Sequence, residues 1–183
     1  MREVITLAGL DIARERDFAA IAVGQVIEFD KNILRLKGVK MFPHQAYSLL
    51  EGEIARIVNK NQITKIIVDS TNEKSFAERL QRIGIIVDPL HFTAPLKHDM
   101  VSYTLMIRTE NRLDIPVEGP FVTDLRKQIA EQERLLTTST IRYDHPEGHH
   151  DDLLWALCLL CYGAKPWLEG FMDYRIYPVG NTI

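Results

Sequence analysis

The sequence predicts an α/β sandwich built on a mixed β-sheet. Three strand-like runs crowd the first part of the chain, single strands then alternate with helical periodicity, and helices close the sequence. At 183 residues, 46% hydrophobic and 26% charged, the chain is the size of one domain with an ordinary globular composition. Disorder, collagen and coiled coil are thereby disfavoured.

Glu3–Asp11, Phe18–Phe29 and Ile33–Met41 are rich in Val, Ile, Leu or Phe. Arg14-Glu15-Arg16-Asp17 and Phe29-Asp30-Lys31-Asn32 separate them as charged turns, which implies two hairpins and antiparallel order. From His44 to Lys60 the apolar positions Ala46, Leu49, Leu50, Ile54, Ile57 and Val58 recur at helical spacing. Ile63–Asp69 is a β-branched run that ends in Asp69-Ser70-Thr71-Asn72, residues that break a strand and cap the helix expected over Glu73–Ile83. Ile85-Ile86-Val87 reads as a short strand stopping at Asp88-Pro89. Lys97–Arg108 and Pro120–Leu136 have helical periodicity, and Leu113-Asp114-Ile115-Pro116 between them reads as a brief extended link. Asp151–Ala164 is an apolar helix expected to end at Lys165-Pro166. The expected division is one domain over residues 1–166 and an aromatic tail over 167–183, whose Trp167, Phe171, Tyr174 and Tyr177 are read as cover for a core edge.

The formal net charge of −3 argues against holding DNA by bulk charge alone. The longest apolar run, Leu153–Ala164, is shorter than the roughly 18–20 residues that span a bilayer, and no charged-then-apolar leader precedes Ile5. A soluble, cytoplasmic protein without a membrane partner is expected. The two cysteines, Cys158 and Cys161, lie inside that run and read as buried thiols, which leaves no disulfide framework or four-cysteine zinc site.

The residues suited to chemistry are carboxylates. Asp11 continues the face of Ile5, Leu7 and Gly9 at the end of the first strand, and Asp69 ends Ile66-Ile67-Val68. If those strands are parallel neighbours, about 4.8 Å apart, the two anions meet at one sheet edge. Repulsion is relieved by protonation or by a divalent cation, and hard oxygen donors favour Mg²⁺ or Mn²⁺ over zinc. The plainer alternative is that each Asp caps a turn. His149-His150-Asp151-Asp152 then stands directly before Leu153-Leu154-Trp155-Ala156, so two carboxylates occupy the start of an apolar helix, more than capping requires. Asp152 and Ala156 share a helix face, and the small Ala156 permits close approach to the sheet. His145, His149 and His150 are a weaker zinc alternative, lacking a cysteine partner or an H-x-x-x-H spacing.

This order of acids resembles the RNase H-like (RuvC-like) superfamily, and more closely the C-terminal nuclease domain of the viral terminase large subunit, of phage and herpesvirus type. The resemblance rests on Gly9-Leu10-Asp11 with Asp17 and Ala20, Ile66-Ile67-Val68-Asp69, and Phe92-Thr93 with Lys97. It continues through Arg112-Leu113-Asp114-Ile115-Pro116 and His150-Asp151-Asp152-Leu153 with Ala156-Leu157. The sequence departs from the family pattern at Ile12–Arg16, where a glycine-rich loop is expected, and at Phe18-Ala19, which replace a hydroxylic residue. No G-x-x-x-x-G-K-[ST] occurs, so the ATPase motor of complete large terminases is expected to be a partner rather than part of these residues.

The resemblance implies an RNase H-like mixed sheet, three antiparallel strands followed by parallel ones, with helices on both faces. It implies a metal-dependent endonuclease that cuts double-stranded DNA with little sequence preference, as terminases cut concatemeric viral DNA during packaging. Asp11, Asp69, Asp152 and Asp151 would be catalytic and would bind two Mg²⁺ or Mn²⁺ ions, Asp11 bridging both. His149 would assist proton transfer. Lys97, followed by Arg108 and Arg112, would contact phosphates, with Arg126, Lys127, Arg134 and Arg142 as further candidates. An ATPase motor, a portal or capsid and a small terminase subunit are the implied partners. The alternatives are a resolvase-like or ribonuclease H-like nuclease, and a non-catalytic docking module of a packaging complex. A sugar-kinase or actin-like ATPase needs a second lobe and phosphate-binding glycine turns that this sequence lacks.

Overall fold

The structure is a computed structural model that describes residues 2–12, 19–28, 31–71, 74–137 and 151–170. Three long strands come first: β1 (Arg2–Asp11), β2 (Ala19–Glu28) and β3 (Ile33–Phe42). Helix α1 (Tyr47–Asn61), strand β4 (Lys65–Asp69), helix α2 (Lys74–Arg82) and strand β5 (Val87–Leu90) follow. Helix α3 (Ala94–Thr109), strand β6 (Leu113–Asp114) and helices α4 (Val122–Thr137) and α5 (Asp152–Leu168) complete the described chain. The strands form one sheet in the order β5-β4-β1-β2-β3-β6. β1, β2 and β3 pair antiparallel, whereas β4 beside β1, β5 beside β4 and β6 beside β3 are parallel. The expected α/β architecture with a mixed sheet is the one observed.

Period-two alternation divides the strand side chains between two cores. Ala8, Leu10, Ile21, Val23, Ile66 and Val68 pack with α1 and α2 on one face. Ile5, Leu7, Ala20, Ala22 and Ile67 pack on the other with α5, which α3 and α4 flank. This second face carries Gly9, Asp11 and Asp69.

Helix α5 lies across β1, β2, β3 and β4. Its approach is set by glycine: a Cβ at Gly9 would stand 2.1 Å from the Ala156 carbonyl oxygen and 2.4 Å from the Leu160 nitrogen. A Cβ at Gly163 would meet Ile67 side-chain carbons at 2.3 Å. Nearly every residue of α5 is buried, so the helix is apolar all round, as its sequence requires.

Four details differ from the sequence expectation, and prolines are behind three of them. Strand β5 starts at Val87 rather than Ile85 and runs through Asp88-Pro89 to Leu90, because it is an edge strand where a missing N–H removes no ladder bond. Helix α3 starts at Ala94 rather than Lys97: Thr93 caps it through its hydroxyl, which accepts the Leu96 N–H at 3.3 Å, and Pro95 occupies the tolerant first turn. Helix α5 runs through Pro166 to Leu168. A helical proline costs about 3 kcal/mol, but burial of Trp167 and Leu168 beyond it offsets that at about 1.5–3 kcal/mol per large side chain. Leu113-Asp114, expected as a link, pairs with Leu34 and Arg35 as β6, and an Arg35–Asp114 ion pair at 2.8 Å holds it there.

The far end of α5 is clamped. Asn32 Nδ2 donates to the Trp167 carbonyl at 2.8 Å, and Arg112 donates to the Leu168 carbonyl and to Glu169 Oε1, the latter at 3.1 Å. These side chains satisfy carbonyls that a helix end leaves orphaned.

Gly9→Ala should destabilise the fold by at least the roughly 1–3 kcal/mol of overpacking, since backbone atoms of α5 would have to retreat. Gly52→Ala, in α1 where an added Cβ meets nothing, should instead stabilise by about 0.5–1 kcal/mol. Urea unfolding of the two variants gives both signs.

Candidate active site

The register of the sheet brings the first two acids together. Leu10 pairs with Val68 in the parallel β1–β4 ladder, so Asp11 and Asp69 are the next residues of neighbouring strands, on the face that α5 covers. On the same face, Gly9 lies two residues before Asp11, and it touches Ala156, which lies four residues after Asp152. Two residues of strand span about 6.6 Å and four residues of helix about 6 Å, so the same contact that seats α5 carries Asp152 to the end of β1. Asp152 is 9% exposed, while Asp11, Asp69 and Asp151 are half-buried.

The electrostatics record this convergence. Burial, followed by the charges of Asp152, Asp69 and Asp151, holds the Asp11 carboxyl well above its ordinary value of 3.8, and Lys97 offsets part of that rise. Asp11 is therefore the centre of the cluster, coupled to all three other acids. Among the described residues no group of three or more His, Cys, Asp or Glu side chains is gathered tightly enough to hold a metal ion in this arrangement. The four carboxylates are electrostatic neighbours rather than an assembled cage. As a donor set they suit a hard divalent cation: all are carboxylate oxygens, and their mutual repulsion is relieved by added positive charge.

The surrounding residues orient the acids. Asp69 Oδ1 accepts the Thr71 N–H at 2.8 Å and the Thr71 hydroxyl, and that hydroxyl oxygen accepts the Phe92 N–H at 2.7 Å. The Phe92 ring lies 5.4 Å from the Trp155 ring, and the Lys97 ammonium stands 4.9 Å from the Trp155 centroid and 5.6 Å from that of Phe92. The chain thus runs from Asp69 through Thr71 and Phe92 to Trp155, one turn into the helix that bears Asp151 and Asp152. Thr71, Phe92 and Trp155 were not among the candidate residues, and their signal is adjacency in sequence to Asp69, Lys97 and Asp152.

Asp151 occupies the N-cap of α5 yet makes no side-chain capping bond. The Leu154 N–H, which an N-cap carboxylate ordinarily takes, donates instead to Gln128 Oε1 on α4 at 2.9 Å. Simple capping therefore does not account for the Asp151 side chain.

The remaining candidates separate. Lys97, in the first turn of α3, belongs to the acid cluster. Arg108 is in the last turn of α3, about 16 Å along the helix from Lys97. Arg112 is part of the clamp at the C-terminus of α5, the opposite end of the helix from Asp152 and about 25 Å away. Arg126 donates to the Ile115 and Pro116 carbonyls, and Lys127 pairs with Asp124 at 3.7 Å. His145, His149, His150, Asp17 and Arg142 lie outside the described residues. The two cysteines are fully buried, and burial pushes the Cys158 thiol up to about 12.

Comparison with known proteins gives a consistent fold. The large terminase nuclease from thermophilic phage G20c, solved with bound magnesium, superposes with a TM-score of 0.61 at 14% identity, over 86% of this chain and 80% of that one. The human cytomegalovirus terminase nuclease domain gives 0.53 at 13% identity, covering 87% and 83%. Thermus thermophilus RuvC in complex with a Holliday junction substrate gives 0.54 at 13%, covering 91% and 97%. This chain has the RNase H-like fold. No family model and no curated protein sequence matches it. The fold shared with terminase nuclease domains and RuvC is thus carried by topology and not by overall sequence.

The raised Asp11 carboxyl fixes the sign of a stability effect. Above 3.8 the unfolded chain loses the Asp11 proton while the folded chain keeps it, so folding stability falls as pH rises through the window up to the folded value. In cation-free buffer at neutral pH, Asp11→Asn should therefore raise the melting temperature. The gain should shrink as pH falls toward 3.8 and vanish below it, where both states are protonated. Calorimetry across that range in EDTA checks it, and a pH-independent difference would contradict it.

Proposed function

We propose that this chain is a metal-dependent endonuclease that cleaves double-stranded DNA with little sequence preference, the activity by which a terminase cuts concatemeric viral DNA during packaging. The observation that carries the reading is the convergence of four carboxylates on Asp11 at the C-terminal ends of β1 and β4 and the N-terminus of α5. The likeness to terminase nuclease domains, one of them solved with magnesium, supports it.

Asp11, Asp69, Asp152 and Asp151 would hold Mg²⁺ or Mn²⁺, two ions in this reading, and Asp11 is electrostatically coupled to the other three acids. Bound cations supply an activated water and countercharge at the leaving 3′ oxygen of the phosphodiester. The chain's own contribution is positional. Thr71 fixes Asp69, the α5–β1 contact fixes Asp152, and Lys97 presents an ammonium beside the acids, where a phosphate of the same strand would sit. Phe92 and Trp155 hold the Lys97 head by cation–π attraction and limit its freedom. His149 is proposed to assist proton transfer. Contact through phosphates carries no base readout, which is why little sequence preference is expected. An ATPase motor and a portal, capsid or small terminase subunit are the proposed partners, supplying the DNA-holding charge that a chain of net charge −3 lacks.

A second reading is a resolvase-like nuclease, favoured by the likeness to RuvC bound to a Holliday junction. Incubation of supercoiled plasmid, a Holliday junction and an RNA–DNA hybrid with Mg²⁺, Mn²⁺ or EDTA separates the readings. Nicking and linearisation of plasmid that needs the cation is the expected result. Asp11→Asn and Asp152→Asn should each reduce it by more than about 100-fold, beyond the roughly 10–100-fold typical of outer-shell changes. Exclusive cleavage of the junction would favour the resolvase, and intact substrates with no Mn²⁺ bound in calorimetry would leave the docking module.

Lys97→Ala should weaken duplex binding evenly across sequences and reduce the slope of log affinity against log salt by about 1. Fluorescence anisotropy at several salt concentrations, with Ca²⁺ in place of Mg²⁺ to hold back cleavage, reads both quantities.

A further inference from the structure

Phe92 lies between β5 and α3 and belongs to neither, yet it is held at both its backbone and its ring. Its N–H donates to the Thr71 hydroxyl at 2.7 Å, and that hydroxyl donates to Asp69 Oδ1. Beside this bond the Ser70 N–H and hydroxyl both donate to the Leu90 carbonyl, at 2.8 and 3.0 Å. The ends of β4 and β5 are thus stitched together, and Phe92 is anchored to the turn that follows Asp69. Its ring stands 5.4 Å from that of Trp155, and the Lys97 ammonium lies 5.6 Å from the Phe92 centroid and 4.9 Å from that of Trp155. Charge alone does not explain this placement of Lys97. An ammonium whose charge is felt at Asp11, in a cluster with three further acids, is drawn toward the carboxylates. Among the described residues Lys97 makes no ion pair, and it stands over two aromatic rings instead.

We infer that Phe92 is a positioning residue that keeps the Lys97 ammonium out of the carboxylate cluster, so that the lysine stays available to a phosphate and the acids to the cation. This rests on the nuclease reading above. Lysine is a compact charge on a flexible four-carbon stem, so its position is set by what holds its head. Cation–π attraction acts at the ring faces and opposes the pull of the acids. Without it, the ammonium and a divalent cation would be rivals for the same oxygens, and the charge meant for a phosphate would be spent on an internal ion pair. The anchoring through Thr71 links the two functions. The residue that orients Asp69 is also the one to which the Phe92 backbone is tied, so one turn sets both a cation ligand and the lysine beside it.

The test uses the isolated chain, with Mn²⁺ binding by calorimetry and duplex DNA binding by anisotropy in Ca²⁺ at several salt concentrations. Phe92→Leu removes the ring face and keeps the backbone N–H. Phe92→Met does the same at closer volume and replaces the leucine variant if that one fails to fold. Either should weaken Mn²⁺ binding by about 3–10-fold, the loss of one cation–π contact expressed as affinity. Either should also lower the slope of log affinity against log salt by about 1. Lys97→Ala should lower that slope equally but leave Mn²⁺ binding as tight as in the native chain or tighter, because the rival charge is gone. Adding Phe92→Leu to Lys97→Ala should then change neither quantity, a non-additive cycle. Phe92→Tyr, which keeps the ring face, should return both quantities to their native values. Weaker Mn²⁺ binding on adding Phe92→Leu to Lys97→Ala would mean that Phe92 acts through the Asp69 turn and not through the lysine, and would overturn the inference, as would an unchanged slope in Lys97→Ala. If the native chain binds no Mn²⁺, the nuclease reading falls and this inference with it. If the native chain binds Mn²⁺ and the Phe92 variants match it in affinity and slope, this inference alone falls.

Discussion

The contact between Gly9 and Ala156 is the constraint on which the site depends. It admits no side chain: the position of a Cβ on Gly9 is already occupied by backbone atoms of α5. A helix that touches a strand backbone at one point has its axial position set to within a fraction of a turn. Asp152, one turn before that point, and Asp11, two residues along the strand, are therefore brought to the same end of the sheet by backbone geometry. Gly163 repeats the device against Ile67 of β4, and the Asn32 and Arg112 clamp fixes the other end. Arg112, one of the three leading candidates for phosphate contact, holds that end of α5.

What this precision holds together is intrinsically repulsive. The Asp11 carboxyl is pushed up by burial and by three like charges, so the fold stores unfavourable electrostatic free energy at one sheet edge. The rest of the molecule supports that edge with two apolar cores and with the Asp69–Thr71–Phe92 hydrogen bonds. Charge density is local here. A net charge of −3 over the chain says little about a site that concentrates four carboxylates beside one lysine.

The acids stood out because Asp11 and Asp69 each follow a short apolar segment of defined periodicity and Asp151-Asp152 precede one. A strand that ends in Asp after Ile66-Ile67-Val68, or a helix that opens with Asp-Asp before an apolar run, announces position as well as chemistry. The supports were not legible, since they depend on contacts between elements distant in sequence. Gln128 reads as an ordinary polar residue on a helix face, and Trp155 as one more apolar residue of a buried helix. The prolines misled for a related reason. Pro89 and Pro166 were read as stops from local rules, whereas an edge position and a buried Trp167 each let the element continue. The two-residue β6 exists only because β3 offers it a partner, and no run of two residues carries a signal of its own.

The order in which the chain is made gives the position of α5 a temporal meaning. Synthesis runs from the N-terminus, so β1 through β5 and the helices between them emerge long before the helix that must lie over β1. The first two acids can reach their places in a nascent sheet, but Asp151 and Asp152 arrive with the last described element. The contact that unites them spans nearly the whole described sequence, the kind of distant pairing that forms late. A chain still on the ribosome or cut short before α5 therefore carries half of the acidic centre. Completion of the acidic centre is in this sense a report that α5 has reached the sheet.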